Sequence, residues 1–245
     1  MPEVTSSKYL VTAGWEDVPH LDQKTMKELL DSCPPHLREA RSKGKPNIGA
    51  GAIYPVPWEE VCCEPFQIPA HYWQAYGFDV GWKKTAAIWG AWDKDSDIVY
   101  CWSEHYKGEA EPAIHATAIK ARAVWIPGII DTSAHGRAQT DGEKLHDMYT
   151  GQGLVLTNAI KAVETGLYEV WQRLSTGRLK FFRTMANTKF EYGLYRRSEK
   201  GQVVKQHDHL MDALRYLIMG LAEARQQPFT AHHRQASARN ERTGY

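Results

Sequence analysis

Asp208 and Asp212 stand four residues apart in the stretch QHDHLMDALRYL. In a helix that spacing puts both carboxylates on one stripe, and Arg215 shares it three residues further on. Like charges so placed repel unless something positive lies between them; Arg215 could supply part of that charge and a metal ion more. An acid in the first turn of a helix is also a common cap, so Asp208 alone carries either reading. Two more acids sit where a structural residue would be expected. Asp79 falls inside the apolar run YGFDVG, where a carboxylate is costly without compensation, and Gly81 just after it permits close approach of backbone or ligand. Asp131 ends the apolar stretch WIPGII, at the carboxyl end of a strand, where open α/β sheets place ligands. Carboxylates that converge cannot all ionise without a cation, and hard oxygen donors select Mg²⁺ or Mn²⁺. Two such ions about 4 Å apart would clamp the attacking and leaving oxygens of a phosphodiester. Taken singly, the same acids also read as a turn contact, a loop start and a helix cap.

The neighbours of these acids extend the chemistry. Lys83 and Lys84 follow Asp79, where they read as contacts to a phosphate or as solvated turn lysines. His135 and Arg137 follow Asp131, where a phosphate could pass or a polar loop could lie. His207 and His209 flank Asp208 as surface residues of a helix start or as proton relays. Trp82 reads as a core residue rather than a stacking platform. The run DKDSDIVYCWSE has calcium-loop spacing, but Ile98 replaces the glycine that such a loop needs. A β-turn between strands fits it better.

The elements that must position the acids follow from hydrophobic period and turn residues. YGFDVG, TAAIWGAWD and IVYCWSEHY read as three meandering antiparallel strands over 76–106. A helix over EPAIHATAIKARAV, the strand ending at Asp131, helices over DGEKLHDMYTG and NAIKAVETGLYEVWQRLSTG, and the short strand RLKFF come next. A late hairpin is expected in KFEYGLYRRSEKGQVVKQ, turning at SEKG. The last helix buries Leu210, Leu214, Leu217 and Leu221. A mixed sheet flanked by helices is the natural packing, an α/β fold. Residues 1–70 read as a connector: a helix over LDQKTMKELL, a Pro-Pro break, a short basic helix, then a Gly- and Pro-rich stretch. Residues 71–225 form the folded domain, and 226–245 a basic, disordered tail.

Composition narrows the class. The 245 residues are 42% hydrophobic, enough for one sizeable core, and no apolar run is long enough to span a membrane. The N-terminus MPEVTSSKYL has no secretory signal pattern. Cys33, Cys62, Cys63 and Cys101 lack C-x-x-C spacing and suit a reducing compartment. With a formal net charge of +1, bulk charge does not announce nucleic-acid binding.

An acid-bearing strand with a nearby Gly, two more meandering strands, a later strand ending in Asp and a last helix opening with Asp resemble the RNase H-like nuclease superfamily. Within it, FDVGWKKTAAIWGAWD, GIIDTSAHGR and above all KQHDHLMDALRYL are similar to the C-terminal nuclease domain of tailed-phage terminase large subunits, over roughly 75–222. Residues 10–65 resemble the segment that joins a packaging ATPase to that nuclease. The resemblance implies an RNase H-like mixed sheet with an N-terminal linker arm and a metal-dependent endonuclease that cuts concatemeric double-stranded DNA in the host cytoplasm. It implies metal acids at Asp79, Asp131 and Asp208, with Asp212 a ligand or a second-layer support, and two Mg²⁺ or Mn²⁺ ions. The implied partners are duplex DNA, the portal protein, the small terminase subunit and the ATPase domain of the full-length protein, with no membrane. A recombinase or junction resolvase on the same fold is a second reading. An actin-like ATPase lacks the second phosphate loop it would need. A docking module that binds DNA or portal without cutting is a third.

Overall fold

The computed structural model describes residues 3–4, 9–10, 14–32, 42, 51–131, 139–198 and 200–228. Its central element is strand β2 (Trp73–Asp79), which pairs antiparallel with β3 (Thr85–Asp93), itself antiparallel to β4 (Ile98–Lys107). Successive side chains of a strand face opposite ways, and the two faces of β2 feed two different cores. Tyr76 and Phe78 pack with Trp89, Ile119 and Tyr149 on one side. Ala75 joins Ile88, Leu214 and Leu217 on the other. Asp79 lies two residues past Gly77 and so takes the second face.

Seven strands complete the sheet. Edge strand β1 (Cys62–Cys63) follows the single-turn helix α2 (Trp58–Val61), which in turn follows α1 (Gln23–Ser32). Helix α3 (Pro112–Lys120) leads to β5 (Gly128–Ile130), and α4 (Gln139–Gly151) to β6 (Leu156–Asn158). Helix α5 (Val163–Ser175), β7 (Leu179–Phe182), α6 (Ala186–Leu194) and α7 (His209–Met219) finish the domain. The sheet order is β1-β7-β4-β3-β2-β5-β6. Its antiparallel centre is flanked by parallel pairs on both sides, which makes it the mixed sheet expected. Helices α5 and α7 pack together over one face, with α7 lying on β2 and β3. Gly166 of α5 makes that packing possible, since a Cβ there would meet the Arg215 side chain at 2.5 Å.

Three expectations need correcting. The core does not begin at residue 71. Tyr54, Trp58 and Val61 are buried, Trp58 stacks on Phe181, and β1 pairs with β7. The Pro- and Gly-rich stretch has no period because it reaches the core through single large side chains, not through one face of an element. The late hairpin shrinks to one bridge, Arg197 to Val203, because KFEYGL continues the helix begun at Ala186, which buries Thr188, Glu191 and Tyr192 at i, i+3 and i+4 spacing. Trp82 is not core. It is 66% exposed in the loop linking β2 to β3, beyond the last paired residues Asp79 and Ala86, where no sheet face is left to cover it. The expected short basic helix before residue 45 is described only at Ser42, and the tail from 229 onward lies outside the described residues. No helix among the described residues is long and apolar enough to cross a membrane.

One buried pair makes stability depend on pH. His105 Nε2 lies 2.9 Å from His115 Nδ1, and His115 Nε2 lies 3.1 Å from the Ala110 carbonyl. That carbonyl can only accept, so His115 carries its proton on Nε2, and its Nδ1 accepts from His105. Burial, then the neighbouring His115 and nearby cations, lowers the His105 pKa from 6.5 to about 4. The unfolded chain therefore binds a proton in this window that the folded chain refuses. The stability contribution is complete above pH 6.5, is lost progressively as pH falls from 6.5 to 4, and amounts in all to about 3 kcal/mol. Urea unfolding at pH 7.5 and pH 4.5 is expected to show most of that loss, and His105→Gln to shrink it.

Candidate active site

Three elements bring acids to one end of the sheet. Asp79 is the last residue of β2 and 9% exposed. Its Oδ2 accepts from His209 Nδ1 at 2.9 Å, in the first turn of α7. Burial raises the Asp79 pKa, against which the His209 bond and the charge of His209 work, while Asp212 and Asp208 raise it further. The same bond, opposed by burial, raises the His209 pKa. Asp131 follows β5 directly, and its Oδ2 accepts from the Tyr216 hydroxyl at 2.9 Å. Tyr216, on the same helix as Asp212, feels the charges of Asp212, Asp79 and Asp131 together. Burial first, then those three carboxylates, pushes its phenol pKa far up. Phe78 pairs with Ile130, so Asp79 and Asp131 leave neighbouring strands side by side, and each is bonded to a residue of α7, the helix of Asp212.

Asp208 and Asp212 are each only 6% exposed. Asp208 occupies the N-cap position of α7, but its side chain makes no capping bond. It faces Lys205 Nζ at 3.0 Å. The same ammonium lies 2.7 Å from Asp212 Oδ2, and Arg215 Nη2 donates to Asp212 Oδ1 at 3.1 Å. The i, i+4 repulsion inherent in the sequence is thus relieved by Lys205, which sits between the two acids, with Arg215 behind one of them. Sequence reasoning identified Arg215 but missed Lys205, three residues ahead of Asp208; only the turn over 205–208 brings its side chain back.

Lys83 is exposed and Lys84 half-buried in the loop after Asp79, with Lys84 Nζ lying 4.3 Å over the Tyr106 ring. His135 and Arg137 fall outside the described residues. His207 has a left-handed backbone, φ 55°, at the turn that leads into α7. Such a conformation is uncommon for a residue with a side chain. The calcium-like run is occupied by protein donors: Asp97 binds Trp92, Arg173 and Arg178, and Asp93 accepts from Ser96.

The donor set suits a hard divalent cation: carboxylates on rigid strand and helix ends, with a lysine ammonium already bridging two of them. As they stand, the acids are turned toward protein donors. Among the described residues no three acid or imidazole groups meet around one point. An ion held at this end of the sheet would need the acids to turn from those donors, and Lys205, with its side chain 55% exposed, has solvent to turn into.

Comparison with known proteins shows what the chain as a whole resembles. A family profile for the terminase RNaseH-like domain matches residues 76–221. The terminase large subunit of Enterobacteria phage LP7 is 31% identical over 226 residues, 88% of this chain and 47% of that protein. The chain thus spans about half the length of the curated relatives it matches. The nuclease domain of the P22 large terminase is 32% identical, with a TM-score of 0.69, covering 74% of this chain and 97% of that one. The large terminase nuclease of thermophilic phage G20c, solved with bound magnesium, shares the fold at 14% identity and a TM-score of 0.51, covering 71% of this chain and 97% of its own.

Proposed function

This chain belongs to the terminase RNaseH-like domain family, and on that premise we propose that it is a metal-dependent endonuclease cutting concatemeric double-stranded DNA during phage genome packaging. One observation carries the reading. Asp79, Asp131, Asp208 and Asp212 come from three separate elements to one end of the sheet, and Asp208 stands at a helix start without serving as its cap. The bound magnesium of the G20c relative supports a divalent ion here.

Asp79, Asp131 and Asp208 would hold the ions, Mg²⁺ or Mn²⁺. Asp212, fixed between Lys205 and Arg215, would keep the helix start in register from behind. Two bound ions would supply a reactive water and stabilise the departing 3′ oxygen. His209, bonded to Asp79, fixes the orientation of that carboxylate. Lys83 and Lys84, in the loop after Asp79, would meet phosphates, and His135 and Arg137 belong to the same proposal. The portal protein, the small terminase subunit and an ATPase portion of the full-length protein are the partners proposed, with the host cytoplasm as the setting.

Supercoiled plasmid incubated with the chain and Mg²⁺, Mn²⁺ or EDTA tests this. Nicking with either metal, absent in EDTA and lost in Asp79→Ala, is the expected result. A folded chain that binds Mn²⁺ yet leaves plasmid intact would instead indicate a docking module.

A further inference from the structure

One of the two amides that a capping side chain would take at the start of α7, that of Leu210, is already occupied. It donates to Glu191 Oε2 at 2.6 Å, from a residue 19 positions earlier in the chain. Glu191 is fully buried on α6, and its other oxygen accepts from the Tyr106 hydroxyl at 2.6 Å. Both oxygens are therefore held, one by β4 and one by the helix that carries Asp208 and Asp212. A carboxylate at a helix N-terminus satisfies an orphan N–H and complements the helix dipole. A helix start ordinarily finds that carboxylate on its own N-cap residue, here Asp208.

We propose that Glu191 is a positioning residue of the acidic site. By capping α7 from α6 it relieves Asp208 of the cap and leaves the Asp208 carboxylate on the Lys205 side, where a cation would bind. The cap stands on its own geometry; what Asp208 does once released rests on the metal-site reading above. Asp208 now has ψ 2°, off the extended backbone of an ordinary N-cap; without the Glu191 carboxylate its backbone relaxes toward that conformation and turns the Asp208 side chain onto the orphan amide. The site then loses an oxygen without losing a residue.

Two readouts in the intact chain test this: thermal midpoints without metal, and binding of Mn²⁺ alone by titration calorimetry without DNA. Glu191→Ala is expected to weaken Mn²⁺ binding about 10- to 100-fold. Glu191→Gln, whose amide oxygen still accepts from Leu210, is expected to keep wild-type affinity. Glu191→Asp keeps the charge but falls one methylene short, and is expected to behave like Ala, which carries the test if Ala does not fold. The melting cycle is the second arm. Asp208→Ala should lower the midpoint by about 2–4 °C more in the Glu191→Ala background than in wild type, because Asp208 has become the cap there. Wild-type Mn²⁺ affinity in Glu191→Ala, failure of Gln to restore it, or additive melting shifts would overturn the proposal. If the wild type binds no Mn²⁺, the metal reading fails, while the melting cycle still decides who caps the helix.

Discussion

Asp208→Asn is expected to lower metal-dependent plasmid cleavage about 1,000-fold or more while leaving the melting temperature within a few degrees of wild type. The two halves of that expectation have different causes. An ion ligand that contributes several kcal/mol to the transition state translates to about that factor in rate. Asn offers a neutral amide oxygen in the same volume but no charge to hold a divalent cation. Stability should survive because the one ion pair lost, to the half-exposed Lys205, is offset. Asp208 makes no capping bond, and Glu191 retains the Leu210 amide. Lys205 keeps its contact with Asp212 at 2.7 Å, and one of the mutually repelling carboxylates is gone. Asn is also as good an N-cap residue as Asp. Nicking assays beside thermal melts decide the matter: an Asn variant that cuts within tenfold of wild type would make Asp208 part of a structural ion-pair cluster.

How far the sequence discloses this site depends on the range of each interaction. The strands at 73–79, 85–93 and 98–107, the terminal Asp131 and the last helix are legible because period and turn residues are local signals. So is the suspicion about Asp79: a carboxylate flanked by Phe78 and Val80 has to be compensated by something. The compensator is less visible. His209 lies 130 residues from Asp79 and Tyr216 lies 85 from Asp131, and nothing in a single sequence ties such pairs together. Lys205 is close in sequence but reaches the acids only through the turn into α7. Glu191 was hidden differently. In KFEYGL the flanking aromatics suggest a strand, so its burial on a helical face beside Thr188 and Tyr192 could not be anticipated. The same limit applies to residues 51–63, which build an edge of the sheet through isolated anchors such as Trp58. Local order was readable, and so was Arg215 one turn from Asp212; the other partners that make the acids tolerable were not.

The site also depends on a glycine that carries no chemistry. Gly77→Ala is expected to lower the melting temperature by about ten degrees or more, or to prevent folding, and to remove whatever activity the acids support. A Cβ at Gly77 would lie 1.8 Å from the carbonyl oxygen of Ala213 and 2.9 Å from the amide nitrogen of Leu217. Both are backbone atoms of α7, so no rotamer change relieves the clash; the helix itself must back away from β2. Overpacking of side chains typically costs about 1–3 kcal/mol, and a backbone clash should exceed that range, against total stabilities of about 5–15 kcal/mol. At roughly 2–4 °C per kcal/mol for a chain of this size, a shift of ten degrees follows. The helix that moves carries Asp212 together with His209 and Tyr216, and the partners of the last two, Asp79 and Asp131, stay with the sheet. Displacement of reacting groups by about 1 Å is enough to cost a hundredfold in rate. Gly193→Ala is the matched control. It sits in α6, where an added Cβ would meet nothing within 4 Å, and should be neutral or stabilising by about 0.5–1 kcal/mol through helix propensity. A Gly77→Ala protein that melts with wild type would mean that α7 does not press on the strand at that point, and the acids would need another means of reaching one another.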